Sequence, residues 1–119
     1  MCEALRIEAR YNTPDAQGET RRQRNARFGE HSPEPEYPER GRQLWGWYQQ
    51  ASKTRRFDQG QPQMLTPLEW KAWANITGQV IREEEFSVLI DMDAAYVSAL
   101  KAELKAQWDR ANPPHKGKR

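Results

Sequence analysis

The sequence predicts an all-α protein: a small three-helix domain with a long C-terminal helix, preceded by a flexible N-terminal arm. Three observations predict it. Of the 12 aromatic residues only Tyr11, Phe28 and Tyr37 precede residue 44. Beyond that point apolar residues recur at helical spacing. Between the two regions stands His31-Ser32-Pro33-Glu34-Pro35-Glu36-Tyr37-Pro38, whose three prolines preclude both a helix and a central strand. Residues 1–38 therefore read as a flexible arm and Pro-rich linker, 39–112 as the helical domain, and 113–119 as a basic, disordered tail.

The chain has 119 residues, which sets the scale at one small domain. Only 36% of it is hydrophobic and 30% is charged, with a mean hydropathy of −1.11. That composition leaves part of the chain outside any packed core. Within the arm, Thr20–Phe28 has the makings of a transient helix, but no apolar stripe with which to dock.

The first helical segment spans Glu39–Arg55. Leu44, Trp47, Tyr48 and Ala51 fall at i, i+3, i+4 and i+7 and so share a face. Trp45 lies off that face. Residues 57–64 read as a loop broken by Gly60 and Pro62. The second helix has the clearest start. Thr66 is a good N-cap, Pro67 suits the first helical position, and Glu69 completes a capping box. Leu65 and Trp70 stand where a hydrophobic staple needs them. Gly78 is the natural stop. Glu69, Trp73 and Ile76 share one side of this helix, and Leu68, Ala72 and Ile76 another.

The third helix starts near Arg82 and ends before Pro113-Pro114. Glu83, Glu84 and Glu85 place negative charge in its first turn, where the helix dipole favours it. Phe86, Leu89, Asp93, Tyr96 or Val97, Leu100 and Leu104 form one stripe, with Trp108 a turn further on. About thirty residues give a rod of roughly 45 Å, against about 25 Å and 18 Å for the other two helices. Two short helices can cover the rod around Phe86–Val97, but not Leu100, Leu104 and Trp108 as well. These three residues, with Trp45, are the expected partner contacts. The other outcomes for the distal stripe are that it frays or that the arm folds back over it.

No catalytic constellation is visible. His31 and His115 sit beside prolines in the predicted tails, and one cysteine with two distant histidines matches no metal spacing. Asp91 and Asp93 look like a DxD pair but point to different sides of a helix. Asp93, inside the apolar stripe, calls for a buried partner such as Arg55 or a backbone N–H. The expectation is a protein that is not an enzyme and has no cofactor. No apolar run is long enough for a membrane span, and the single Cys2 needs no oxidising compartment. The chain reads as soluble and cytoplasmic.

Basic and acidic residues are interspersed, and the net charge is only +2. The exception is Thr20–Arg27, where Arg21, Arg22, Arg24 and Arg27 resemble the arginine-rich motifs of phage antitermination proteins. The alternative function this implies is a phage regulator binding RNA or DNA through residues 20–27.

A second resemblance covers residues 33–100. Its pieces are Pro33-Glu34-Pro35-Glu36, then Leu44-Trp45-Gly46-Trp47-Tyr48, then Ser52-Lys53-Thr54-Arg55. Gly60 and Pro62 follow in the loop, then Leu65-Thr66 with Glu69 and Ala72-Trp73, and finally Met92-Asp93-Ala94-Ala95-Tyr96. This arrangement resembles the tail assembly chaperones of tailed phages. The loop has one glycine where relatives often have several, and residues 1–30 match nothing in that family. The resemblance implies a non-enzymatic helical protein of the host cytoplasm, absent from the mature virion. It would bind unassembled tape-measure or tail tube protein, with self-association a further possibility. Neither nucleic acid nor membrane is its expected partner. Arg55, Thr66, Glu69, Trp73, Asp93 and Tyr96 are expected to be structural.

Overall fold

In the computed structural model residues 2–36 and 41–113 are described. The tail expected to be disordered lies almost wholly outside the described residues. Among those described, the chain forms five helices and one short hairpin, so the all-α expectation holds. The helices are α1 (Cys2–Asn12), α2 (Arg21–Arg27), α3 (Arg42–Ser52), α4 (Pro67–Thr77) and α5 (Glu83–Ala111).

The three helices expected from the sequence are α3, α4 and α5. In α4 the Thr66 side chain accepts the Glu69 N–H at 3.1 Å, and the Thr66 N–H donates to Glu69 Oε1 at 2.8 Å. Gly78 closes the helix at φ 72°, a conformation that glycine adopts without a Cβ penalty. Helix α5 begins after Arg82, whose N–H donates to Glu85 Oε1 at 2.9 Å. Its 29 residues make a rod of about 43 Å.

Within 57–64, read from sequence as a plain loop, Phe57–Asp58 (β1) pairs antiparallel with Gln61–Pro62 (β2). Gln59 at φ 53° and Gly60 at φ 80° form the two-residue turn, whose positive φ angles match the twist of the flanking strands.

The core lies between α3, α4 and the first half of α5. Trp70, Tyr48, Leu89 and Met92 are its most deeply buried large side chains. Trp73 packs edge-on against Trp47 and Trp70, with ring centroids 5.9 Å apart in each case.

The flexible arm is corrected. Helix α1 lies against α5 and buries Ala4, Leu5 and Ala9. The Cys2 thiol donates to the Asp91 carbonyl at 3.7 Å, and Gln107 Nε2 donates to the Thr13 carbonyl at 3.0 Å. These two contacts set α1 running in the same direction as α5. Leu5 and Ala4 join Trp45 and Tyr48 in the core. Helix α2 buries no residue at all. A Thr20–Gln23 capping box and side-chain ion pairs hold it in place of an apolar stripe. Residues 31–36 are neither helix nor strand, as the prolines dictate. They are nevertheless pinned: Arg22 donates to the carbonyls of Ser32 and Pro33, and Asn25 to the Ser32 hydroxyl at 2.9 Å.

Candidate partner-binding surface

The fixed end of α5 is built around one buried ion pair. Arg55 Nη2 and Asp93 Oδ1 are 2.7 Å apart, with side chains only 4% and 0% exposed. Burying two charges is costly unless every lone pair and proton finds a partner. Here each does. Asp93 Oδ1 also accepts the Tyr48 hydroxyl at 2.7 Å, and Oδ2 accepts the Leu65 N–H at 2.7 Å. Arg55 donates to the Gln63 carbonyl at 2.9 Å and to Ser52 Oγ at 2.8 Å. Its guanidinium lies over the Tyr96 ring, 5.4 Å from the centroid, a cation–π geometry.

Burial opposes the charge on Arg55, but the Asp93 carboxylate outweighs it and holds the guanidinium above its ordinary pKa. Burial pushes the Tyr48 hydroxyl well above its ordinary value. Both groups therefore keep their protons as donors. The cluster ties α3, the hairpin, the start of α4 and α5 at a single point. Both partners the sequence suggested for Asp93, Arg55 and a backbone N–H, are present.

The other end of α5 is covered differently, and two expected partner contacts are corrected. Trp45 is 7% exposed, because α1 shields the side of α3 that the main core leaves open. Leu100 is 5% exposed, on the stretch of α5 that α1 runs beside. The arm thus does fold back over the long helix. Its cover ends before the helix does. Leu104 is half-buried and Trp108 is 64% exposed.

Leu104 and Trp108 form a ridge between two open grooves. The first, of about 490 Å³, is walled by the turn at Asp15–Gln17, by Arg24 and by Arg110. The second, of about 720 Å³, is walled by the hairpin turn Gln59–Gln61 and by Lys101 and Lys105. Both rim carboxylates are already bonded. Asp15 Oδ1 accepts the N–H groups of Gln17 and Glu19, each at 2.9 Å, and the Glu19 N–H leads in holding its carboxyl below the ordinary range. Asp109 accepts Lys105 at 3.0 Å.

Sequence reasoning missed two features. One is Glu103, 2% exposed, whose Oε1 receives both Nε and Nη2 of Arg21 at 3.1 and 2.9 Å. Nothing in the local pattern marks a glutamate on a charge-rich helix as buried. The other is the outer face of α4. Leu68 and Ile76, with Val80 just beyond the helix, are among the most exposed large apolar residues. Here the spacing of Leu68, Ala72 and Ile76 was the signal, and the sequence reading assigned that side no partner.

The arginine-rich segment is largely committed inside the molecule. Arg21 holds Glu103, Arg22 reaches Glu34 at 3.1 Å, and Arg27 reaches Glu19 at 2.9 Å. Only Arg24 of the four has no ion pair among the described residues, and it lines the groove beside Trp108. Thr66, Glu69, Trp73 and Tyr96 sit in caps and ring contacts around the core. Among the described residues no group of three or more His, Cys, Asp or Glu side chains could hold a metal ion, and no helix is long and apolar enough to cross a membrane.

Comparison with protein-family models, with curated proteins and with solved structures finds no match.

Proposed function

We propose that this chain is a non-enzymatic tail assembly chaperone of a tailed phage, holding unassembled tape-measure or tail tube protein in the host cytoplasm. The observation that carries the reading is where the scattered residues of the sequence resemblance meet. Tyr48, Ser52, Arg55, Leu65, Asp93 and Tyr96 belong to four separate pieces of that pattern, yet they surround one buried ion pair. The pattern is therefore a single packing unit, which is what a shared fold requires of it.

The function itself rests on surface. Trp108 and the outer face of α4 leave large apolar side chains in water, as reversible capture of an unassembled protein requires. The arginine-rich alternative loses support, because three of its four arginines already serve as internal ion-pair partners.

The test is co-expression of the full chain with the tape-measure protein and the tube protein of the same genome, followed by affinity purification. The expected result is a soluble complex with one of them, absent from purified particles. Failure to capture either client, with the chaperone folded, rejects the reading.

A further inference from the structure

The ridge at the C-terminal end of α5 carries more than apolar surface. Leu104 and Trp108 are four residues apart and so stand one turn above the other on α5. An open groove runs along each side. That relief suits a second helix laid beside α5, its side chains entering the grooves.

Charge decides which kind of helix. The rim carries Arg24, Lys101, Lys105 and Arg110 against Asp15 and Asp109. Asp15 is occupied by backbone N–H groups and Asp109 by Lys105. Arg110 lies 4.0 Å from Glu103. Arg24 and Lys101, one on each groove, have no ion pair among the described residues. The sequence adds Lys116, Lys118 and Arg119 shortly after α5 ends. The surface therefore offers two free cations flanking an apolar ridge, and no free carboxylate.

We propose that this ridge docks an acidic amphipathic helix of a client protein, its apolar face on Leu104 and Trp108 and its flanking carboxylates on Arg24 and Lys101. The proposal rests on the chaperone reading and names the chemistry of the client segment. A nucleic acid would also meet the cations. It is disfavoured by the small net charge of +2 and by the internal commitment of Arg21, Arg22 and Arg27.

The test uses the full chain and two labelled synthetic helices. Both carry Leu and Phe on one face; one has Glu on its flanks and its twin has Lys. The Glu helix is expected to bind at least about tenfold more tightly than its twin, and less tightly as salt rises. Trp108→Ala should weaken it by about tenfold. The double change Arg24→Glu and Lys101→Glu breaks no ion pair among the described residues and should reverse the preference. Equal binding of the two helices overturns the proposal, as does tighter binding of a single-stranded oligouridylate than of the Glu helix. Capture of tape-measure protein that ignores the charge reversal overturns this inference and leaves the chaperone reading standing. Binding of the Glu helix with no capture of either tail protein does the opposite.

Discussion

Helix α5 buries two carboxylates, Asp93 and Glu103, and treats them differently. Asp93 receives three donors, each at 2.7 Å, from Tyr48, Arg55 and Leu65, which come from different parts of the chain. Glu103 has one oxygen well served by Arg21, while the other has only Gln107 at 3.5 Å and Arg110 at 4.0 Å. The surroundings differ in the same sense. Asp93 is wholly buried and bonded to the core residue Tyr48, whereas Glu103 is held by α2, a helix with no buried residue. One half of the rod is thus fastened by packing and a densely hydrogen-bonded polar cluster. The other is fastened by the end of α1, through Ala9 and the Thr13 carbonyl, and by Arg21 of α2. Local opening is expected to follow that difference, with the arm end opening at lower free energy than the core end.

The largest effect should come from breaking the better-fastened end. Arg55→Met keeps the side-chain bulk but leaves the Asp93 carboxylate without its cation, at a cost of about 3–5 kcal/mol. Chemical denaturation should show the loss as a shift in the global midpoint. An unchanged midpoint would mean that Tyr48 and the Leu65 N–H suffice for Asp93.

A smaller and more local effect is expected at the other end. Arg21→Met should cost about 1–3 kcal/mol and act on the arm. Amide hydrogen exchange should quicken in α1 and α2 and remain slow around Leu89–Val97. Equal quickening in both regions would show that arm and core unfold as one unit.

The smallest effect concerns pH. The hydrogen bond from Arg56 and then the Thr66 N–H hold the Glu69 carboxyl below its ordinary value of 4.5. A depressed folded pKa gives stability that is present above that value and is lost as pH falls through the folded pKa. The side chain is 31% exposed, so the contribution is under about 1 kcal/mol. Glu69→Gln should flatten this part of the acid unfolding curve, and an identical curve would assign the acid sensitivity elsewhere.

These contrasts explain what was legible in the sequence. The start of α4 could be read because Leu65, Thr66, Pro67, Glu69 and Trp70 each report on the same turn, within six residues. The buried role of Asp93 was visible because a charge inside an apolar stripe demands a partner, and Arg55 was at hand. Helix α1 was hidden for the opposite reason. Its buried face is Ala4, Leu5 and Ala9, too little apolar area to stand out from a charged segment. Its docking depends on a face of α5 that only the folded chain presents. Trp45 and Leu100 were misjudged through that single omission, since both are covered by the arm. Trp108 lies past the end of the cover, and the length comparison between the helices identified it correctly as exposed.

The pairing of α1 with α5 also bears on the order in which the molecule is made. Cys2 meets Asp91 and Thr13 meets Gln107, across 89 and 94 positions of chain. At about 5–20 residues per second, α1 leaves the ribosome roughly 4–19 seconds ahead of the surface it rests on. During that interval the face of α1 that meets α5 has no berth there, and the loop that must finally close is long. Helix α1 thus waits for a face of α5 that is made long after it.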